Sequence, residues 1–165
     1  MSRRPRMFLL LVFGVLSALL ISPRLASAQI ADRDATWAVL DVVATLNSAI
    51  DESKDGAELR EKAVRRLAEC SLMYGGLSTL TSNAEARKNY VEAQIATSEV
   101  EATIAKPLQK EKRLELEQAA RVSVATKLRA MKAQTDKEVG PLLKNCKALN
   151  DVREIKNALQ DLPPL

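Results

Sequence analysis

Residues 55–76 read DGAELREKAVRRLAECSLMYGG. Leu59, Ala63, Leu67, Cys70 and Tyr74 recur here at steps of four, four, three and four, a spacing that places them on one face of a helix. Asp55, with Glu58 three residues on, has the form of a capping box, and Gly75-Gly76 is expected to stop the helix. Between those ends the stretch is mostly Ala, Leu, Glu, Lys and Arg, the residues that lose least conformational freedom on entering a helix.

The same periodicity extends in both directions. Val39, Val43, Leu46 and Ile50 share a face of a first helix expected from about Asp34 to Glu52, with Ser53 to Gly56 as the turn after it. Beyond the second helix, Ser82 and Glu85 form another capping-box start. They open a third helix with Tyr90, Ala93, Val100 and Ile104 facing inward. Pro107, which has no N–H and disfavours a helical Lys106, ends or kinks it. A fourth helix, Leu108 to about Thr135, turns Leu116, Ala120, Val124, Leu128 and Met131 inward, and Gly140-Pro141 is expected to break it. A last helix carries Leu142, Cys146, Leu149, Val152 and Leu159, followed by a frayed tail from Asp161 to Leu165. No alternating strand pattern of useful length occurs, so the expected fold is all-α: an antiparallel bundle of four to five helices. Residues 29–165 suffice for one such domain, able to bury about two thirds of its unfolded surface.

Residues 1–28 have a different character. Met1 to Arg6 are basic and polar, Met7 to Ile21 are almost wholly apolar, and Ala26-Ser27-Ala28 supplies small residues for a peptidase, which is the layout of a secretory signal cleaved after Ala28. Fifteen apolar residues fall short of the roughly 20 needed for a membrane-crossing helix, so no stable span is expected after cleavage. No cysteine at the cleavage point offers a lipid anchor, and Arg3-Arg4, followed by Pro5, reads as an ordinary basic start to the general secretory route ahead of a twin-arginine signal, which stays open as the alternative. The mature chain is therefore expected in the periplasm or secreted.

The whole chain has 25 Lys and Arg against 21 Asp and Glu, a net charge of +4. Arg3, Arg4, Arg6 and Arg24 supply that excess, so residues 29–165 are neutral and no nucleic-acid partner is expected. The strip Lys106, Lys110, Lys112 and Arg113 is interrupted by Glu111 and reads as a solvated face. Trp37, alone near the mature N-terminus, reads as a core anchor of the first helix.

Histidine is absent, which excludes Ser-His-Asp and Cys-His catalysis, His-ligated metals and the Glu-x-x-His di-iron motif. Two cysteines cannot make a four-thiolate site, and no glycine-rich phosphate loop occurs. Carboxylates remain as acids or bases. Glu58/Lys62, Glu61/Arg65 and Glu117/Arg121 are spaced as ion pairs of a solvated helix, and Glu92/Glu99 and Glu111/Glu115 are acid pairs on which no partner motif converges. No catalytic, cofactor-binding or metal residues are assigned.

Cys70 and Cys146, each on the apolar side of its helix, are expected to form one disulfide in an oxidising compartment. With no Cys-x-x-Cys and apolar surroundings, redox work is the poorer reading. The expected function is binding without catalysis, as an adaptor, chaperone-like protein, inhibitor or component of an envelope complex, with another envelope protein or a second copy as partner. Two alternatives stay open: a carrier of a small apolar ligand in the bundle core, and a carboxylate enzyme acting on envelope polymers.

Overall fold

Helix-favouring composition and sparse Gly and Pro produce helices and no strand among the described residues of the computed structural model, 38–132 and 139–162. There are six of these helices: α1 over 38–51, α2 Gly56–Leu80, α3 Ala84–Ile104, α4 Lys110–Lys132, α5 Val139–Leu149 and α6 Ile155–Gln160. The all-α bundle expected from periodicity is what forms. The signal segment with its cleavage position after Ala28, and Trp37, lie outside the described residues.

Helix α2 is the axis of the molecule. Its buried positions, among them Ala63, Leu67, Ala68, Cys70, Ser71, Met73, Tyr74 and Leu77, spread over most of its circumference rather than one stripe. A helix apolar on many sides is enclosed by others. Both α3 and α4 pack along α2 far more than on each other. Ser71 hydrogen-bonds Ser98 at 2.7 Å and Tyr74 stacks on Tyr90, so α3 runs antiparallel to α2. Lys112 pairs with Glu61 near the start of α2, whereas Leu128 lies against Gly76 near its end. Helix α4 therefore runs parallel to α2 and antiparallel to its chain neighbour α3.

The core has two parts. Val42, Val43, Leu46 and Ile50 of α1 meet Ala63, Val64 and Leu67 of α2, the end of α3 at Val100 and Ile104, Leu116 of α4, and Ile155, Ala158 and Leu159 of α6. The second part surrounds Cys70 and Cys146 with Met73, Tyr74, Leu77, Val124 and Leu142. At about 25 cal/mol per Å² of apolar surface removed from water, this burial is the main force holding the helices together.

Five expectations need correction. Gly75-Gly76 does not end α2, which continues to Leu80. A Cβ on Gly75 would come within 3.0–3.1 Å of the Gln94 amide, and one on Gly76 would fall into the Leu128 side chain. The glycines thus admit α3 and α4 to close packing, which outweighs their helix-propensity cost of about 1 kcal/mol each. At the head of α3 the cap is Asn83, not Ser82: Asn83 Oδ1 accepts the Ala86 N–H at 3.0 Å. Asp55 stands at the N-cap of α2 but makes no side-chain capping bond.

The last helix is two helices. Asn150 Nδ2 donates to Thr97 Oγ1 at 2.8 Å, and the Asp151 carboxylate accepts the Arg153 backbone N–H at 3.0 Å, a local turn that competes with the helix ladder. Val152 is consequently exposed, and Ile155 takes its place in the core. Gly140-Pro141 likewise falls inside the first turn of α5, where a missing N–H costs nothing. Pro107 acts as expected: α3 ends at Ile104 and α4 begins at Lys110.

Candidate functional site

Cys70 on α2 and Cys146 on α5 lie at disulfide distance, with Cα atoms 5.6 Å apart across 76 residues of sequence. Both are fully buried. The pair lies where the C-terminal helices meet the middle of α2, and between them, with α4 as the third wall, lies an open cleft of about 820 Å³. That size is typical of small-molecule sites.

Its α2 wall is built from residues 62–69. Arg65 and Arg66 both turn toward Glu69, at 3.6 and 2.9 Å, and the Glu69 carboxylate is nearly inaccessible to water. Lys62, one turn earlier, pairs with Glu58, as the i,i+4 spacing implied. Helix α4 adds Ser123 and Lys127, whose ammonium donates to the Ser123 hydroxyl at 2.9 Å. Helix α5 contributes Lys144, and the apolar part of the lining comes from Pro141, Leu142, Ala148, Ala158 and Leu162. Glu154 and Asp161 stand on the α6 side. The cleft therefore has a basic wall on α2 and α4, an acidic margin at α6, and apolar surface between them.

A smaller groove of about 220 Å³ lies where α2, α3 and α4 meet. Ala68, Ser71 and Leu72 line it with Glu101 of α3 and Glu117 and Arg121 of α4. Burial, and secondarily the charge of Glu117, raises the pKa of Glu101, while Arg113 opposes the shift.

The acid pairs singled out in the sequence are not brought together. Glu92 pairs with Lys88 at 3.7 Å, Glu115 pairs with Lys112 at 3.0 Å, and Glu92, Glu99, Glu111 and Glu115 are all exposed. Glu61 pairs with Lys112 of α4 at 3.5 Å instead of with Arg65. Among the described residues no three Cys, Asp or Glu gather as a metal site. In the basic strip, Lys106 and Lys110 are solvated, whereas Lys112 and Arg113 are partly covered.

The Arg65/Arg66/Glu69 cluster and the Glu101/Glu117 pair went unread in the sequence. Glu69 sits between Leu67 and Cys70 at i+3 and i+4 from two arginines, a spacing that signals a buried carboxylate held by both. The Glu101/Glu117 pair joins two helices and has no local signature. Compared with known proteins, the chain matches no family model, and neither a curated protein nor a solved structure is detectably similar to it.

Proposed function

We propose that the chain is exported, that it is not an enzyme, and that it works by binding: an adaptor, chaperone-like protein, inhibitor or component of an envelope complex. The observation that carries this reading is on α3 and α4, where Val91, Ile95, Leu114 and Val122 are 40–60 % exposed on helices that pack on α2 far more than on each other. Large apolar side chains presented by neighbouring helices suit a helix from another envelope protein or from a second copy. Export is supported by the signal layout of residues 1–28 and by the cysteine pair, which is compatible with an oxidising compartment. No helix among the described residues is long and apolar enough to cross a membrane.

Crosslinking in the envelope followed by size measurement tests the proposal. The wild type is expected in a complex, and Ile95→Lys with Val122→Lys is expected to abolish it without loss of helix content. A strict monomer that crosslinks to nothing overturns the reading.

A second reading, a carrier, is favoured by the cleft between α2, α4 and α5–α6. Its location moves the ligand from the bundle core, where Leu46, Leu67, Ile104 and Leu149 are fully buried, to the flank of the molecule.

A further inference from the structure

Seven large apolar side chains are exposed among the described residues. Leu40, Leu80 and Val152 stand singly on α1, at the end of α2 and in the turn before α6, and isolated apolar residues on a surface are ordinary. The other four, Val91, Ile95, Leu114 and Val122, gather on the outer sides of α3 and α4. Glu101 and Glu117 line one groove and the two helices are antiparallel, so Ile95, six residues before Glu101, comes level with Ser123, six after Glu117. Ile95 and Val122 therefore stand at nearly the same height on the two sides of that groove, with Val91 one turn further along α3.

The outer stripe of α4 also reads much the same in both directions. Leu114 and Val122 stand four residues either side of Gln118, and Glu115 and Arg121 stand three residues either side of it, all exposed. A two-fold contact joins a patch to its own copy, so each residue must suit the one it meets after rotation. With the axis at Gln118 and two α4 helices antiparallel, Leu114 of one copy comes level with Val122 and Ile95 of the other, and Glu115 comes level with Arg121. Apolar groups then meet apolar groups, acid meets base, and the Gln118 amide, donor and acceptor at once, meets itself. Glu115 already pairs with Lys112 at 3.0 Å on its own helix, so the charges set register while the apolar residues supply affinity. Residues 29–165 are neutral, so two copies approach without net repulsion.

We propose that two copies of the mature chain form a two-fold dimer through the outer sides of α3 and α4, with the axis passing at Gln118. The proposal rests on the binding reading above and commits it to a second copy as the partner. Residues 110–126 of α4 overlap with their counterparts, about 25 Å of helix, and two helices side by side are about 20 Å wide. A face of roughly 500 Å² per copy is smaller than the ~800 Å² of a standard interface, so the dimer is expected to be reversible in the micromolar range.

Sedimentation of the disulfide-bonded chain, purified after export, from about 1 to about 200 µM tests it, with a monomer–dimer equilibrium as the expected result. Leu114→Lys and Val122→Lys should each weaken that equilibrium at least about ten-fold, whereas Val152→Lys, away from α3 and α4, should change nothing. Under mild oxidation Gln118→Cys should link two copies, since a position on the axis meets its own counterpart. Arg129→Cys, exposed but eleven residues along α4, should not, because antiparallel pairing carries it about 33 Å from its counterpart. Circular dichroism establishes that each variant is folded.

A chain that stays monomeric throughout that range yet crosslinks to another envelope protein keeps the binding reading and overturns the dimer. A monomer that crosslinks to nothing overturns both. A dimer weakened as much by Val152→Lys as by Leu114→Lys is held by another surface. One in which Gln118→Cys fails to link, or Arg129→Cys links as readily, has another axis. Either result also overturns the proposal.

Discussion

Arg60 is a buried cation that joins three helices. Its guanidinium donates to Asn47 Oδ1 and Asp51 Oδ1 of α1, both at 2.8 Å, and to the Ile104 carbonyl at the end of α3, at 3.2 Å. The last carbonyls of a helix have no partner within it, and a cation there also complements the helix dipole. Arg60→Leu is expected to cost about 1.5–3 kcal/mol in urea unfolding, the range for hydrogen bonds to a charged group. Arg60→Lys should recover little, since an ammonium lacks the planar fork that reaches all three acceptors. Glu101 gives a prediction with the opposite sign. Its pKa is raised in the folded chain, so its contribution to stability is fully present below the ordinary carboxylate range and is lost as pH rises through the raised value. Glu101→Gln is therefore expected to be more stable than wild type at pH 7, with the difference vanishing near pH 3. A constant difference across that interval in thermal unfolding would contradict this. Asp151 behaves conversely: the Arg153 side chain and N–H hold its carboxyl down to about 2. Neither Arg60 nor Glu101 could be assigned from sequence, because their partners lie 44 and 16 residues away on other helices.

At the scale of elements, the glycines show what periodicity reveals and what it hides. The faces of α1, α2 and α4 were legible because Leu46, Leu67 and Leu116 repeat with their neighbours at helical spacing, and that pattern exists only to bury them. Punctuation was less legible. A glycine signals either the end of a helix or a close neighbour, and only the neighbour decides: Gly75 and Gly76 have Gln94 and Leu128, whereas a Cβ on Gly140 meets nothing within 4 Å. Gly76→Ala is accordingly expected to destabilise the fold by about 1–3 kcal/mol through overpacking. Gly140→Ala, in the exposed first turn of α5, should be neutral or stabilising by up to about 1 kcal/mol. Chemical denaturation of the two variants side by side checks both signs. The split between α5 and α6 was missed for a related reason. Asn150-Asp151 is a turn signal, but it was overridden by the apolar spacing of Leu149, Val152 and Leu159.

For the molecule as a whole, the cysteine pair matters most. Cys70 and Cys146 were placed on inward faces by periodicity alone, and their juxtaposition closes a loop of 76 residues. Reduction, or Cys70→Ala with Cys146→Ala, is expected to lower stability by about 2–4 kcal/mol and to loosen α5 and α6 first, since α5 has few other contacts with α2. Hydrogen exchange with and without reductant measures both effects. The cleft was the least legible feature, because it combines residues 62–69 of α2 and residues 123 and 127 of α4 with residues 141–162, which only the tertiary fold brings together. The neutral charge of residues 29–165 concealed it further, since a total cannot show that cations have collected on one wall.

That α3 and α4 each lean on α2 and hardly on one another has a consequence for how this sequence can change over generations. Substitutions on the outer faces of α3 and α4 meet no second helix of this chain, whereas most positions of α2 from Ala63 to Ser78 are buried on a helix packed against α3, α4 and α5. Outside the partner surface at Val91, Ile95, Leu114 and Val122, drift should therefore erase the outer faces of α3 and α4 first and leave, as the slowest-changing signature of common descent, the small-residue ladder Ala63, Ala68, Ser71, Gly75 and Gly76 around Leu67 and Cys70.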